Sequence, residues 1–410
     1  MKTLLPILFT ILVSSSVAQN PYTQYADMLS ERWGHSMCVL DGKIYAIGGS
    51  GSDELWGAAF ATMEVYDPTQ DNWTSKASML HGRANFGICT YNSKIYAIGG
   101  GQSFFWDPQS TIEEYDPVTD TWTYTTDMPR PRMMYTTSLI DDKIYIKGGF
   151  DNNHEIFAEV DVYDIQSDTW STKADLPTPR HSSASAVLNG KIYIIGGVIV
   201  FDQNAVTIVE AYDLASDTWT TKEKLIKSKK MMPASVLNGK IYIFGGGVSM
   251  WPTPLSSVEE YDPVTDIWQA RTDMPLELAS ASAVSYDGKI YVSGGATSPY
   301  PSYTVINSMH TYDPLLDPLG IFVSHEMALS QISPNPFTTS TTIKYELKQP
   351  EKVSLMIYNH LGQLVHKTQE NQPQGKQQII WNAEGLPDGI YYFRLQVGEQ
   401  FANGKMVKVR

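Results

Sequence analysis

The sequence predicts an all-β protein in which six copies of one four-stranded unit are followed by a small β-sandwich. The stretch at residues 41–49 recurs five more times, and the first glycine of its closing pair lies at 48, 99, 148, 196, 245 and 294. A Tyr-Asp pair follows each glycine pair, and residues 333–410 form short alternating runs separated by turn residues. A fixed period of this size indicates a repeat architecture.

Composition limits the classes of partner that the chain can have. The chain has 410 residues, of which 42% are apolar and 18% are charged, as is typical of a globular protein. Its formal net charge is -14 and its isoelectric point is near 5.0. Because binding to phosphate backbones requires a basic surface, we expect no nucleic-acid partner.

Residues 1–18 have the pattern of a secretory signal peptide. Lys2 supplies the positive start, residues 4–13 form a short apolar core, and Ser16 to Ala18 form a small-residue cleavage site. The apolar core is too short to span a bilayer, and no other stretch of the sequence has the length of a transmembrane helix.

The first half of each unit is predicted to be a hairpin. The first strand should begin at a residue sixteen positions before the first glycine, which is basic in five units and Leu278 in the sixth. Asp-Gly or Asn-Gly pairs then favour a tight turn with positive φ angles. The second strand is an Ile-Tyr-x-x run without alternation, as expected when both faces are covered.

The second half of each unit carries the other two strands. A variable loop of about ten residues leads to a third strand that ends in Tyr-Asp. Seven residues after the tyrosine, five units place a tryptophan in the fourth strand, as at Trp73 and Trp122.

The glycine pair, the Tyr-Asp pair and the spaced tryptophan resemble the kelch repeat, and the resemblance covers residues 20–320. It implies a six-bladed kelch-type β-propeller, in which each repeat is one four-stranded blade around a central channel. We expect this domain to occupy residues 19–323.

The sixth unit lacks its tryptophan, because Leu319 stands at that position. The spacing of Asp27-Met28 assigns Tyr22 to the missing position, so residues 20–26 are predicted to add the outer strand of the last blade. Such pairing covers an exposed edge. Residues 320–324 are the alternative candidate for the same place.

Residues 333–410 are predicted to form a small β-sandwich after a linker at 324–332. Pro334 to Phe337, the Ile357 to Gly362 turn, Trp381 and the basic C-terminus resemble the C-terminal sorting domain of the bacterial type IX secretion system. The resemblance implies export across the outer membrane through the type IX machinery. An ordinary accessory sandwich is the alternative.

The sequence contains no motif that assigns catalysis. The eight histidines form no zinc-type pair, and phosphate loops and nucleophile elbows are missing. We therefore predict no cofactor and no metal site, and the catalytic residues stay unknown. Cys38 and Cys89 occupy the same repeat position, and we interpret them as small packing residues, although export permits a disulfide.

Two sets of residues are candidates for ligand binding at the mouth of the channel. The first is the basic residue that opens each inner strand: Arg32, Arg83, Arg132, Arg180 and Lys229. A ring of cations would attract anionic groups. The alternative is a scaffold role, in which each residue ties a loop carbonyl or an acid of its own blade.

The second set lies in the variable loops and is aromatic or imidazole-bearing: Trp56, Phe105, Trp106, His154, Trp251 and Tyr300. Such rings stack on sugars or fill peptide pockets, and variable loops on a repeated scaffold commonly carry specificity. The alternative is that they pack between blades as loop anchors.

We therefore expect a secreted or cell-surface kelch propeller that binds a glycan or a protein at its loops. The alternative function is an enzyme acting on an acidic sugar, such as an epimerase or mutarotase. The fold does not decide between the two.

Overall fold

The computed structural model describes residues 20–51, 57–103, 106–249, 253–298, 303–317, 329–347, 349–359, 364–397 and 400–410. These residues form strands, turns and bends without any helix. Within them, no helix is long and apolar enough to cross a membrane.

Six antiparallel four-stranded sheets form the blades. The first strands are β2 (Ser36–Leu40), β6 (Gly87–Tyr91), β10 (Thr136–Ile140), β14 (Ala184–Leu188), β18 (Ala234–Leu237) and β22 (Ser282–Tyr286). The second strands are β3 (Lys43–Ile47), β7 (Lys94–Ile98), β11 (Lys143–Lys147), β15 (Lys191–Ile195), β19 (Lys240–Phe244) and β23 (Lys289–Ser293).

The outer half of each blade follows the same order. The third strands are β4 (Met63–Asp67), β8 (Thr111–Asp116), β12 (Val160–Asp164), β16 (Val209–Asp213), β20 (Val258–Asp262) and β24 (Met309–Tyr312). The fourth strands are β5 (Asn72–Lys76), β9 (Thr121–Asp127), β13 (Thr169–Lys173), β17 (Thr218–Lys222), β21 (Ile267–Arg271) and, in the last blade, β1 (Tyr22–Tyr25).

The strand order defines two faces of the ring. The tight turns between first and second strands, and those between third and fourth strands, lie at one end, which we call the turn face. At Asp41-Gly42 the turn has φ angles of 50° and 74°, which the Asp-Gly pair accommodates. The variable loops and the links between blades lie at the other end, which we call the loop face.

The first strands line the channel, each contacts the first strand of the next blade, and β22 contacts β2 to complete the ring. Five of these strands begin four residues later than predicted, and β18 begins five residues later. The two residues after the basic position bend the chain first, and the second of them has a positive φ in all six blades, between 51° and 61°.

That second residue also takes part in a closed circle of backbone hydrogen bonds. Its N–H donates to the carbonyl of the equivalent residue in the preceding blade, at N···O distances of 2.8 to 3.1 Å. The six members are Gly34, Asn85, Met134, Ser182, Met231 and Ser280. The circle explains the late strand start, because these N–H groups bond around the ring and not within a blade.

The N-terminal strand completes the last blade, as predicted. Tyr22 pairs with Tyr312, and their ring centroids lie 5.3 Å apart. The hydroxyl of Tyr22 donates to the Thr272 carbonyl at 2.6 Å, just as Nε1 of Trp73 donates to the Ala26 carbonyl at 2.9 Å. The alternative strand at 320–324 lies outside the described residues.

Apolar second-strand residues and small first-strand residues fill the spaces between blades. Ile44, Ile95 and their equivalents are fully buried, and Cys38 and Cys89 are buried and free. Burial raises the pKa of both thiols. The cysteines are therefore packing residues, in agreement with that interpretation.

The C-terminal segment is a two-sheet β-sandwich. One sheet contains β25 (Leu329–Ser333), β26 (Ser340–Leu347) and β29 (Gly375–Asn382). The other contains β28 (Leu364–Gln372), β27 (Glu351–Asn359), β30 (Gly389–Val397) and β31 (Gln400–Lys408). Strand β25 was not predicted, so the sandwich begins before the expected boundary at 333.

Candidate functional site

The five basic residues lie inside the blades and do not form a ring of free cations. Their side chains are 0% exposed. In the second blade, Arg83 donates from Nη1 to the carbonyls of Gly99 and Thr111, both at 2.9 Å, and from Nη2 to Glu113 at 2.5 Å. A ligand at the channel mouth cannot reach such a side chain.

Each basic residue pairs with an acid two positions before the tyrosine of the Tyr-Asp pair. The acids are Glu64, Glu113, Asp161, Glu210 and Glu259. The sixth blade has Leu278 in place of the cation and His310 in place of the acid. Because both members change together, the geometry assigns Arg32, Arg83, Arg132, Arg180 and Lys229 to the scaffold and corrects the prediction that they bind ligand.

The same acids hold the links between blades. Glu113 accepts the backbone N–H of Leu80 at 2.7 Å, and Glu64 accepts that of Leu29 at 2.8 Å. Where the link has Pro177 and lacks this N–H, the hydroxyl of Thr178 donates to Glu210 at 2.8 Å. The buried pairs therefore fix the loop face rather than form its binding groups.

The aromatic candidates fall into two groups. Trp56, Phe105, Trp251 and Tyr300 lie outside the described residues. Trp106 and His154 are described, and their ring centroids lie 5.1 Å apart, although they belong to neighbouring blades. The structure thus brings two of the predicted residues together.

Loops of the third and fourth blades bring more rings to the same place. His154 stacks on Phe201 with centroids 3.8 Å apart and an interplanar angle of 13°. Phe150 makes T-shaped contacts with His181 and Phe201, at centroid distances of 5.0 and 5.2 Å. We call Trp106, Phe150, His154, His181 and Phe201 the aromatic cluster.

Sequence reasoning missed His181, the residue after Arg180. The signal was available in the repeat, because the residue after the basic position pairs with the residue after the glycine pair of its own blade, as His181 does with Val198 at the base of the variable loop. Local backbone bonds hold His154 on the other side of the cluster. Its φ is 60°, and its N–H donates to the Asp151 carbonyl at 3.0 Å.

Burial governs the charge of the basic groups at the cluster. Burial, together with the positive charge of Lys230, lowers the pKa of His181 to about 3. Burial also lowers the pKa of Lys230 to about 8, against the attraction of Asp202. The His181 imidazole is therefore neutral at pH 7, as expected for a base in an apolar site.

Exposed aliphatic side chains lie beside the cluster. Ile199 and Val200 precede Phe201 in the fourth-blade loop, and they are 39% and 54% exposed. Phe150 and Phe201 also pack with the buried Trp33 and Met133 and the partly buried Tyr303. The exposed aliphatic side chains therefore rest on a packed apolar base at the loop face.

The channel itself holds an uncharged cavity of about 410 Å³. Small apolar and hydroxyl side chains of the first strands line it, and two of them, Ser235 and Ser285, are hydrogen-bonded to each other at 2.6 Å. Across the described ranges, no cluster of three or more histidine, cysteine or acidic residues could hold a metal.

A closed ring of six four-stranded blades with variable loops on one face defines the first domain as a β-propeller. Family models agree with this class. The kelch motif matches residues 32–80 and 82–129, and the Attractin/LZTR1 beta-propeller matches residues 144–331. The secretion system C-terminal sorting domain matches residues 331–409.

Curated relatives share only part of the ring. Human Kelch-like protein 6 is 37% identical over 82 residues, which are 20% of this chain and 13% of the relative. The Arabidopsis thaliana F-box/kelch-repeat protein At1g67480 is 31% identical over 85 residues, which are 21% of this chain and 22% of the relative. The chain thus spans less than a quarter of the length of either.

A solved structure shares the fold. The protein described as "Structure of YjhT" matches with a TM-score of 0.60 at 14% identity, over 70% of this chain and 96% of the other. The chain is a kelch-repeat β-propeller protein with a type IX secretion sorting domain at its C-terminus.

Proposed function

We propose that the propeller is an extracellular binding module that captures a protein ligand on its loop face at the third and fourth blades. The exposure of Ile199 and Val200 beside the rigid stack of His154 on Phe201 carries this proposal. Exposed apolar residues beside buried aromatic rings are typical of protein interfaces, where a few such residues supply most of the affinity.

The location follows from the C-terminal domain. The sorting domain indicates export through type IX secretion to the cell surface or outside. The predicted signal peptide at residues 1–18, which lies outside the described residues, would direct the first export step. A ligand would then meet the propeller outside the cell.

The chemistry of the site supports a protein over an acidic sugar. An acidic sugar needs accessible cations, and the five cations predicted for that role are buried and paired. The exposed groups beside the aromatic cluster include the aliphatic Ile199 and Val200 and the acids Glu155 and Asp202, and the acids would repel an acidic sugar. Exposed aliphatic side chains bind the apolar side chains of a protein better than they bind the hydroxyl-rich surface of a sugar.

The purified secreted protein should be tested on a tiled peptide array and on a glycan array, with Ile199→Asp and Val200→Asp as site variants. The turn face offers matched controls, because Val118 and Val264 are 91% and 84% exposed there. We expect each site variant to weaken the best peptide by about tenfold or more, and Val118→Asp and Val264→Asp to leave it unchanged.

Two results would contradict the proposal. Binding that is confined to glycans would replace a protein ligand by a sugar. Equal loss of peptide binding in the site variants and in the turn-face controls would show that the loop face of the third and fourth blades is not the binding surface.

A further inference from the structure

The turn face of the propeller is acidic. An aspartate ends the third strand in five blades, at positions 67, 116, 164, 213 and 262, and Asp313 directly follows it in the sixth. Each of the first four keeps partial exposure to solvent. The carboxylate of Asp164, one of these four, accepts a hydrogen bond from the amine of Lys143, and this bond holds its pKa at about 2.

Two members of this set differ from the others. Asp262 is buried, unlike its five equivalents. Burial raises the pKa of Asp313 above its usual range, although the charges of Lys289 and Lys405 oppose the rise. The surroundings of Asp262 and Asp313 are therefore shielded although Val264 and Leu315 in the same turns stay exposed, and Lys405 belongs to the C-terminal sandwich.

One face of the sandwich supplies the cover. Tyr358 of β27 pairs with Tyr392 of β30, which pairs with Lys405 of β31, so the three side chains share a face. Arg394 lies two residues after Tyr392 and has the same orientation. The core side chains Leu355, Ile357, Phe393 and Leu395 alternate with them on the opposite face.

Charge joins this face to the propeller. Nη1 of Arg394 lies 3.6 Å from Oδ2 of Asp262, and both side chains are mostly buried. The negative charge of Asp262 also acts on Tyr358, and that of Asp313 acts on Tyr392. Four side chains of one sheet thus face the two aspartates that differ from the rest.

We infer that the turn face of the fifth and sixth blades is a docking site for the Tyr358, Tyr392, Arg394 and Lys405 face of the chain's own sorting domain. The partner is an outer sheet face with cations among tyrosines, which complements an acidic surface. Docking leaves the loop face, at the other end of the ring, open to a ligand. Docking also makes this sheet face of the sorting domain inaccessible to other partners for as long as the domain remains covalently attached to the propeller.

Small-angle X-ray scattering of the full chain tests the inference. The test variant is Arg394→Glu with Lys405→Glu. The matched control is Lys344→Glu with Lys376→Glu, which changes the net charge equally on the exposed outer face of the other sheet. Circular dichroism and thermal melting would establish that both proteins are folded.

We expect the test variant to gain roughly 10 to 20 Å in maximum dimension as the small domain swings free. The maximum dimension of the wild-type protein should also increase in 1 M salt, because salt screens the ion pairs between the two domains. The control should match wild type at low salt. An extended wild type at low salt, or a test variant as compact as wild type, would overturn the inference.

Discussion

The imidazole of His154 lies parallel to the phenyl ring of Phe201, with ring centroids 3.8 Å apart. This stack joins the variable loops of the third and fourth blades, which no strand pairing connects. It also supports the segment that exposes Ile199 and Val200.

Replacing Phe201 by alanine should affect binding more than folding. The change removes a ring contact worth about 0.5–1.5 kcal/mol beyond its buried area, but it leaves the strands intact. We expect the melting temperature to fall by only a few degrees and the affinity for the best peptide to fall about tenfold or more. Thermal melting and titration calorimetry measure the two effects.

The matched control is Val118→Ala on the turn face, which should change neither quantity. A Phe201→Ala protein that binds as wild type does would show that the stack has no part in presenting the loop.

Breaking one buried ion pair should destabilise the ring strongly. Glu113→Ala leaves Arg83 charged, buried and without its acid, and such changes cost about 3–5 kcal/mol. Urea unfolding would measure the loss. The natural sixth blade provides a compensating design, because Leu278 and His310 occupy the two equivalent positions.

We therefore expect the double variant Arg83→Leu with Glu113→His to be more stable than Glu113→Ala alone. If the double variant were the less stable of the two, the scaffold role assigned to this pair would be wrong.

The N-terminal closure should depend on the ring of Tyr22. Tyr22→Ala removes the ring contact with Tyr312 and the hydrogen bond to the Thr272 carbonyl, and we expect a loss of about 3–5 kcal/mol. Tyr22→Trp should be tolerated, because five other blades hold a tryptophan at this position. Differential scanning calorimetry would rank wild type, Tyr22→Trp and Tyr22→Ala.

Acid should destabilise the propeller before its carboxylates titrate. Burial lowers the pKa of both His35 and His181 to about 3, below the unfolded value of about 6.5. A base with a depressed pKa contributes stability above the unfolded pKa, and that stability falls as the pH decreases from 6.5 towards 3. Each histidine accounts for up to about 5 kcal/mol at the acid end.

Urea unfolding at a series of pH values measures this effect. The variants His35→Gln and His181→Gln should each flatten the slope between pH 6.5 and 4. An unchanged slope in both buried-site variants would remove the histidines as its cause.

The fold was predictable because each unit repeats its turn and strand signals. Glycines at the ends of second strands, the Tyr-Asp pair and the tryptophan place four strands per blade, and Tyr22 stands where a tryptophan was missing. The bend before each first strand was not predictable from strand patterns. It depends on hydrogen bonds between blades, which no single repeat reveals.

The site was predicted only in part. In five units a basic residue occurs together with an acid two residues before the tyrosine of the Tyr-Asp pair, and this joint occurrence predicts the buried pairs. In the sixth unit both are replaced, by Leu278 and His310, which supports the same pairing. The approach of His154 to Phe201 joins positions from two loops of different length. That contact follows from loop conformation rather than from a repeated spacing.

The circle of six backbone hydrogen bonds from Gly34 to Ser280 has a direction of rotation, since every blade donates to the one before it and accepts from the one after it. No blade is first or last in this circuit. A circularly permuted propeller, opened at any one interblade link and closed between its present first and last strands, would therefore form the same six hydrogen bonds. The circuit instead constrains the number of blades, since a seventh would require a wider circle and a different angle at all six junctions.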